Sequence, residues 1–193
     1  TEENVSKAAE KLAETAPSGA TDLGEMFHVA FNLVHDAVQP AVVYVGDGNN
    51  MATSWIHAAV RFGFKLRLAC PDQLMPPQQV LDWAQRQGGA VEVISDIDAA
   101  ASGADCIVTD TWVSMGQESD KEERRRAFDG FTVDSAMMAA ADPGAVFMHC
   151  LPAYRGYEVT PEVIDGPRSV VIRQGHNRLH SARGILAFLA GVR

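Results

Sequence analysis

From Ala41 onward the chain alternates short apolar runs with amphipathic stretches, and that alternation sets the expected fold. Ala41 to Val45, Leu66 to Ala69, Val91 to Ile94, Cys106 to Val108 and Ala145 to Met148 are rich in β-branched and aliphatic residues. Each reads as a buried strand. Between them the spacing predicts helices over about Met51 to Phe62, Pro76 to Gln87 with proline at its start, Ile97 to Ser102, Glu118 to Arg126 and Ser135 to Ala141. Val170 to Ile172 reads as a sixth strand. A last helix is expected over about Asn177 to Ala190, with Leu179, Ile185, Leu186 and Leu189 apolar. Parallel strands need crossovers, so this order predicts an α/β fold with a doubly wound parallel sheet, Rossmann-like in three α/β/α layers.

Residues 1–40 have a different pattern. Glu2 to Glu14 carry alternating charge and alanine without a strong apolar stripe, and Ala16-Pro17-Ser18-Gly19 interrupts them. A second helix is expected from about Asp22 to Val38, with Leu23, Met26, Phe27, Ala30, Phe31, Val34 and Val38 on one face and Asp22 or Thr21 as cap. That face packs on the neighbouring α/β domain, on another subunit, or on both, so a homo-oligomer through this helix is allowed. The expected organisation is a helical N-terminal segment, 1–40, and then an α/β domain, 41–193.

Composition narrows the function classes. The net charge is −9, from 16 Lys and Arg against 25 Asp and Glu. That balance argues against a nucleic-acid partner. The one basic run, Arg124-Arg125-Arg126, comes after Lys121, Glu122 and Glu123 and reads as a solvated helix face. No stretch approaches the roughly 20 apolar residues of a membrane span, and no secretory signal opens the sequence. Cys70, Cys106 and Cys150 lie in or beside apolar runs without metal-ligand spacing, as expected for reduced thiols in a cytoplasmic protein. A first residue of Thr1 fits a removed initiator methionine or a cut chain.

The chemistry gathers at the expected strand ends, where open parallel sheets bind ligands. The fourth strand delivers Asp110, and after it Thr111, Trp112, Val113, Ser114, Met115 and Gly116. A carboxylate there can meet an ammonium group, and a loop ending in glycine can fold over it. The first strand runs into Gly46-Asp47-Gly48-Asn49-Asn50-Met51. Met51 stands where a dinucleotide fingerprint needs its third glycine, so no nicotinamide or flavin cofactor is expected. Asn49 and Asn50 offer amide groups to a small zwitterion, or cap the next helix. The fifth strand ends in His149-Cys150-Leu151-Pro152, where Cys150 is either a nucleophile or an inert buried thiol. His176 and His180 share a helix face, yet no third ligand accompanies them, and no metal is expected. Arg178, read near the start of the last helix, opposes the local dipole and so invites an anionic partner.

Four fragments, Gly46 to Asn50, Asp110 to Gly116, His149 to Pro152, and Asn177-Arg178, resemble in order and spacing the motifs of ornithine carbamoyltransferases. The resemblance covers about 41–193, the family's second, ornithine-binding domain. It implies that Asn50, Asp110, Ser114 and Met115 hold the backbone of L-ornithine or a similar amino acid, with Asn49 beside them. It implies further that the loop from Ser114 to Gly116 closes over the ligand, that Cys150 and Leu151 line the reacting centre, and that Arg178 touches carbamoyl phosphate. Cys150, Asp110 and Arg178 are the catalytic candidates. The family's Ser-x-Arg-Thr and His-Pro-x-Gln motifs are absent, Ala16-Pro17-Ser18-Gly19 being the nearest stand-in for the second, and His176 replaces the glutamate before Asn177. Carbamoyl phosphate is therefore expected as a partner only where another domain supplies its site, and the chain alone is expected to be inactive. The alternatives are a non-catalytic binding or regulatory module, and a cut or engineered fragment retaining the fold.

Overall fold

The structure is a computed structural model that describes residues 40–113 and 120–189. The N-terminal helices expected before Pro40, and Ser114, Met115 and Gly116, lie outside the described residues. Five strands, β1 (Ala41–Val45), β2 (Lys65–Ala69), β3 (Val91–Val93), β4 (Cys106–Thr109) and β5 (Val146–His149), form one parallel sheet in the order β3-β2-β1-β4-β5. The helices are α1 (Asn50–Phe62), α2 (Gln78–Arg86), α3 (Ile97–Ala101), α4 (Lys121–Ala127), α5 (Ser135–Ala140), α6 (Pro161–Ile164) and α7 (Val171–Leu189). A single 3₁₀ turn, Asp72–Leu74, precedes α2.

Period-two alternation sends the strand side chains to two cores. Val42, Tyr44, Leu66, Leu68, Cys106, Val108 and Met148 join Trp55, Ile56 and Ala59 of α1 on one face. Val43, Val45, Ala69, Ile107 and Phe147 join Ala100, Met137, Met138, Val163 and Ile164 on the other. Both faces are covered, which is why the central strands β1 and β4 read as continuous runs, whereas β2 and the edge strand β3 alternate with Arg67 and Glu92. Local polar groups then set the helix starts. Asn49 Oδ1 accepts from Met51 N at 2.9 Å, Asp96 caps α3, and Asp134 Oδ1 accepts from Met137 N at 2.9 Å. Gly63, at φ 75°, closes α1 in the left-handed region that an L side chain enters only with strain.

Two expectations fail at the C-terminal end. Val170 to Ile172 is not a sixth strand. Val170 N does donate to Phe147 O at 2.9 Å, and Ser169 forms a lone parallel bridge with Phe147, but the chain turns into α7 at Val171. Burial of Val171 and Gln174, three apart, is helical spacing and decides the matter. The last helix therefore begins six residues earlier than Asn177. Helix α6, a single turn opened by Pro161, is not among the expected elements.

Candidate functional site

Sheet order reverses direction between β1 and β4, so the crevice at their carboxyl ends is the topological switch point where such folds take ligands. Val45 pairs with Thr109 and Thr109 with His149, so the three strands end level. Thr109 Oγ1 donates to Val45 O at 2.7 Å and ties two of those ends together. The segments leaving the three strands are thereby brought onto one rim: Gly46 to Asn50 from β1, Asp110 from β4 and Cys150 from β5.

The glycines of the β1 turn are there for close approach. A Cβ on Gly46 would lie 2.7 Å from the Tyr44 hydroxyl, and one on Gly48 only 2.0 Å from Pro76 N and 2.1 Å from Met75 C. Gly48 N donates to Leu74 O at 2.6 Å, so this turn is packed backbone to backbone against the 74–76 segment. Its glycines serve this close packing. Asn49 caps α1, whereas Asn50 is exposed at the first position of the helix.

Asp110 and Cys150 meet directly. Asp110 is 6% exposed, and its Oδ1 accepts from Thr111 N at 2.7 Å and from Cys150 Sγ at 2.8 Å. Burial pushes the Asp110 carboxyl above the ordinary carboxylate range, with Glu158 adding to the rise. The hydrogen bonds from Cys150 and Thr111, and His149 nearby, pull it back in part. Beneath lies Tyr44, fully buried, its hydroxyl without a hydrogen-bond partner among the described residues. Burial first, then Asp110 and Asp47, push that phenol well above its usual value, so it stays neutral.

Behind Cys150 a buried polar network sets the course of the chain. His149 N donates to Gln174 Oε1 at 3.1 Å, and His149 Nδ1 accepts from Leu151 N at 2.8 Å. His149 Nε2 lies 3.3 Å from Glu158 Oε1, which also accepts from Tyr154 N. Leu151 adopts φ 57°, and the Leu151–Pro152 peptide is cis. A leucine in that region is strained and persists only where its surroundings fix it, and here the bond from Leu151 N to the buried imidazole does so. A cavity of about 350 Å³ opens beyond Leu151, lined by Ala153, Ile164, Val171 and the Arg155–Asp165 ion pair, away from Asp110.

Among the residues singled out from the sequence, Asp110 and Cys150 are therefore in contact. Asn49 and Asn50 sit on the neighbouring turn, and Leu151 comes next to Cys150 in a constrained conformation. Arg178 is not near a helix start: it lies on the exposed side of α7, two turns in and one turn past Gln174, so the dipole argument for an anionic partner does not hold. The basic run is not simply a solvated face either. Arg124 Nη2 donates to Asp47 Oδ2 and its Nε to Trp112 O at 2.7 Å, while the Arg125 guanidinium lies 4.3 Å from the centroid of the Tyr157 ring. Asp47, Arg124, Glu158 and Gln174 are not anticipated from sequence. For Asp47 the position inside the glycine turn is a signal. Arg124 and Gln174 find their partners 77 and 25 residues away, and Glu158 meets Tyr154 N and His149 through an irregular loop, so local pattern does not name them.

An open parallel sheet with a buried carboxylate and a thiol in contact at its switch point, and two asparagines on the neighbouring turn, defines a doubly wound α/β domain, a class that takes ligands at that crevice. Residues 39–189 match the model of the family described as aspartate/ornithine carbamoyltransferase, Asp/Orn binding domain, and the chain belongs to that family. It is 49% identical over 150 residues to the ornithine carbamoyltransferase of Rhodopseudomonas palustris (strain BisA53), covering 78% of this chain and 48% of that one. Among solved structures, the ornithine carbamoyltransferase from Pyrococcus furiosus superposes with a TM-score of 0.77 at 41% identity, covering 86% of this chain and 55% of the other. The anabolic enzyme from Campylobacter jejuni gives 0.80 at 33% identity, covering 90% and 59%. The chain thus spans about half the length of the relatives it matches.

Proposed function

We propose that this chain recognises L-ornithine or a closely similar amino acid as one half of a carbamoyl-transfer enzyme. The observation that carries the reading is the Asp110–Cys150 contact at 2.8 Å on the rim that also bears Asn49 and Asn50. A buried carboxylate suits an ammonium group, because the low-dielectric surroundings strengthen a charge-assisted hydrogen bond. In this reading Asp110, Asn50, Ser114 and Met115 hold the amino-acid backbone, with Asn49 beside them. Cys150 and Leu151 line the place where the side-chain amine reacts. There the amine nitrogen attacks the carbamoyl carbon of carbamoyl phosphate, a C–N bond forms, the C–O bond to phosphate breaks, and the amine gives up a proton as phosphate leaves.

The phosphate side needs several donors converging on a dianion. Within these 193 residues, Arg178 is the family residue assigned to it, and the Ser-x-Arg-Thr and His-Pro-x-Gln motifs are not in the sequence. Transfer therefore requires a second domain carrying those motifs. Holding both reactants in near-attack geometry is worth roughly 7–11 kcal/mol, most of which is lost when one reactant is unbound. The test is citrulline formation from L-ornithine and carbamoyl phosphate by the chain alone and with the first domain of a relative added in excess. Turnover only in the mixture, lost on Cys150→Ala, supports the reading. Equal turnover by the chain alone refutes the need for a partner. Binding of L-norvaline without turnover in either case identifies a binding module instead.

A further inference from the structure

Arg124 does more than its place in a basic run suggests. Its side chain is only 12% exposed, although α4 is otherwise a solvated helix. One guanidinium edge donates to the carbonyl of Trp112 at 2.7 Å, and another nitrogen donates to Oδ2 of Asp47. The second oxygen of Asp47 accepts from Asn49 N at 3.3 Å, and Asn49 Oδ1 in turn accepts from Met51 N. At the other end, the Trp112 ring is stacked on Phe128, centroids 5.0 Å apart and planes 3° from parallel. A continuous chain of contacts therefore runs from the segment leaving β4, through one arginine, to the turn leaving β1. It crosses the switch point. Burying the Asp47 carboxyl raises its pKa even with Arg124 beside it, so the pair is held there against a desolvation cost.

We propose that Arg124 is a positioning residue for the amino-acid site: by joining Asp47 to the Trp112 carbonyl, it fixes the Gly46–Asn50 turn against the end of β4, so that Asn50 and Asp110 address one ligand. The proposal rests on the reading of that rim as an amino-acid site. Arginine is required because a planar fork can span a carboxylate and a carbonyl at once. A lysine ammonium is a compact point charge on a flexible stem and cannot hold both in fixed directions.

The experiment uses the full 193-residue chain, ¹⁵N-labelled, as wild type, Arg124→Lys, Arg124→Ala, Asp47→Asn and the Arg124→Lys/Asp47→Asn double variant. Amide hydrogen exchange is read at Asn49 and Met51 in the turn and at Leu68 and Phe147 in the sheet, and L-norvaline is titrated in parallel. Loss of a charge-assisted bond predicts exchange at Asn49 and Met51 faster by about tenfold or more, with Leu68 and Phe147 unchanged, and L-norvaline binding weaker by about the same factor. Arg124→Lys should resemble Arg124→Ala, and the double variant should add little to either single change, as expected for one shared contact. Should Arg124→Ala fail to fold, Arg124→Lys and Asp47→Asn carry the test with the same readouts. Unchanged exchange in the turn, or acceleration spread equally over turn and sheet, overturns the proposal. If the turn amides respond while wild type binds no L-norvaline, the brace stands and the amino-acid reading of the site falls.

Discussion

Replacing Asp110 by asparagine separates the two things its carboxyl does. In the structure a single oxygen, Oδ1, accepts from both Thr111 N and Cys150 Sγ. An asparagine can keep its carbonyl oxygen in that place, so the local bonds survive and the change in stability at neutral pH should stay within about 1 kcal/mol. The charge does not survive. An ammonium facing the site then loses a charge-assisted bond worth about 1.5–3 kcal/mol, which weakens L-norvaline binding roughly 10- to 100-fold. A pH series sharpens the distinction. The native carboxyl is raised above its unfolded value, chiefly by burial, so between those two values the native state holds more protons than the unfolded state. Stability must therefore fall as pH rises through that window, starting near the ordinary carboxylate value of about 4. Asp110→Asn should remove the Asp110 share of that slope. Ligand binding has the opposite trend, strengthening as pH rises and Asp110 ionises. Thermal melts between about pH 4 and 8 and chemical-shift titration of both proteins supply the comparison. A clear drop in melting temperature at neutral pH with ligand affinity preserved would show that Asp110 serves its own loop and not a ligand.

Three further outcomes can be checked quickly. Gly48→Ala places a Cβ against Pro76 and Met75 backbone and should cost about 1–3 kcal/mol by denaturant unfolding, because backbone cannot swing aside as a side chain can. Under native conditions a thiol reagent should modify Cys150 far faster than Cys70 or Cys106, which are fully buried; burial pushes the Cys70 thiol up to about 12 and raises Cys106 as well. All three should react once the chain is unfolded, and mass spectrometry of timed samples reads the order. Gln174→Leu strands the buried His149 N–H, a loss of about 1–3 kcal/mol by thermal or chemical melt, whereas Gln174→Glu keeps an acceptor there.

How far the sequence reaches depends on how far apart the interacting residues lie. Strands β1 and β4 were legible because each is a run buried on both faces, and a parallel sheet needs little more than that. The run at Val170 to Ile172 carried the same signal and gave a helix instead. Three β-branched or aliphatic residues fit the first turn of a helix as well as a strand, and only the burial of Gln174 one turn later separates them. Topology collects strand ends, so Asp110 and Cys150 could be placed on one rim from the sequence, but their direct contact was not legible there. Arg124 was not legible either. Three arginines beside glutamates look solvated by composition, and nothing local distinguishes the one whose partner, Asp47, lies 77 residues away.

The all-parallel sheet has a consequence for anyone wishing to modify this molecule. Every strand runs the same way, so the chain makes its returns at the far rim, through turns such as Gly63-Phe64, Gly88 to Ala90 and Gly103-Ala104. Gly63, Gly88 and Gly103 all have positive φ, and a Cβ on any of them would meet nothing within 4 Å among the described residues. With these glycines kept, since a side chain at positive φ would be strained, a new pair of termini placed beside them would lie at the rim of the sheet opposite Asp110. Changes made there lie at the opposite end of the strands from the rim that carries Asp110 and Cys150.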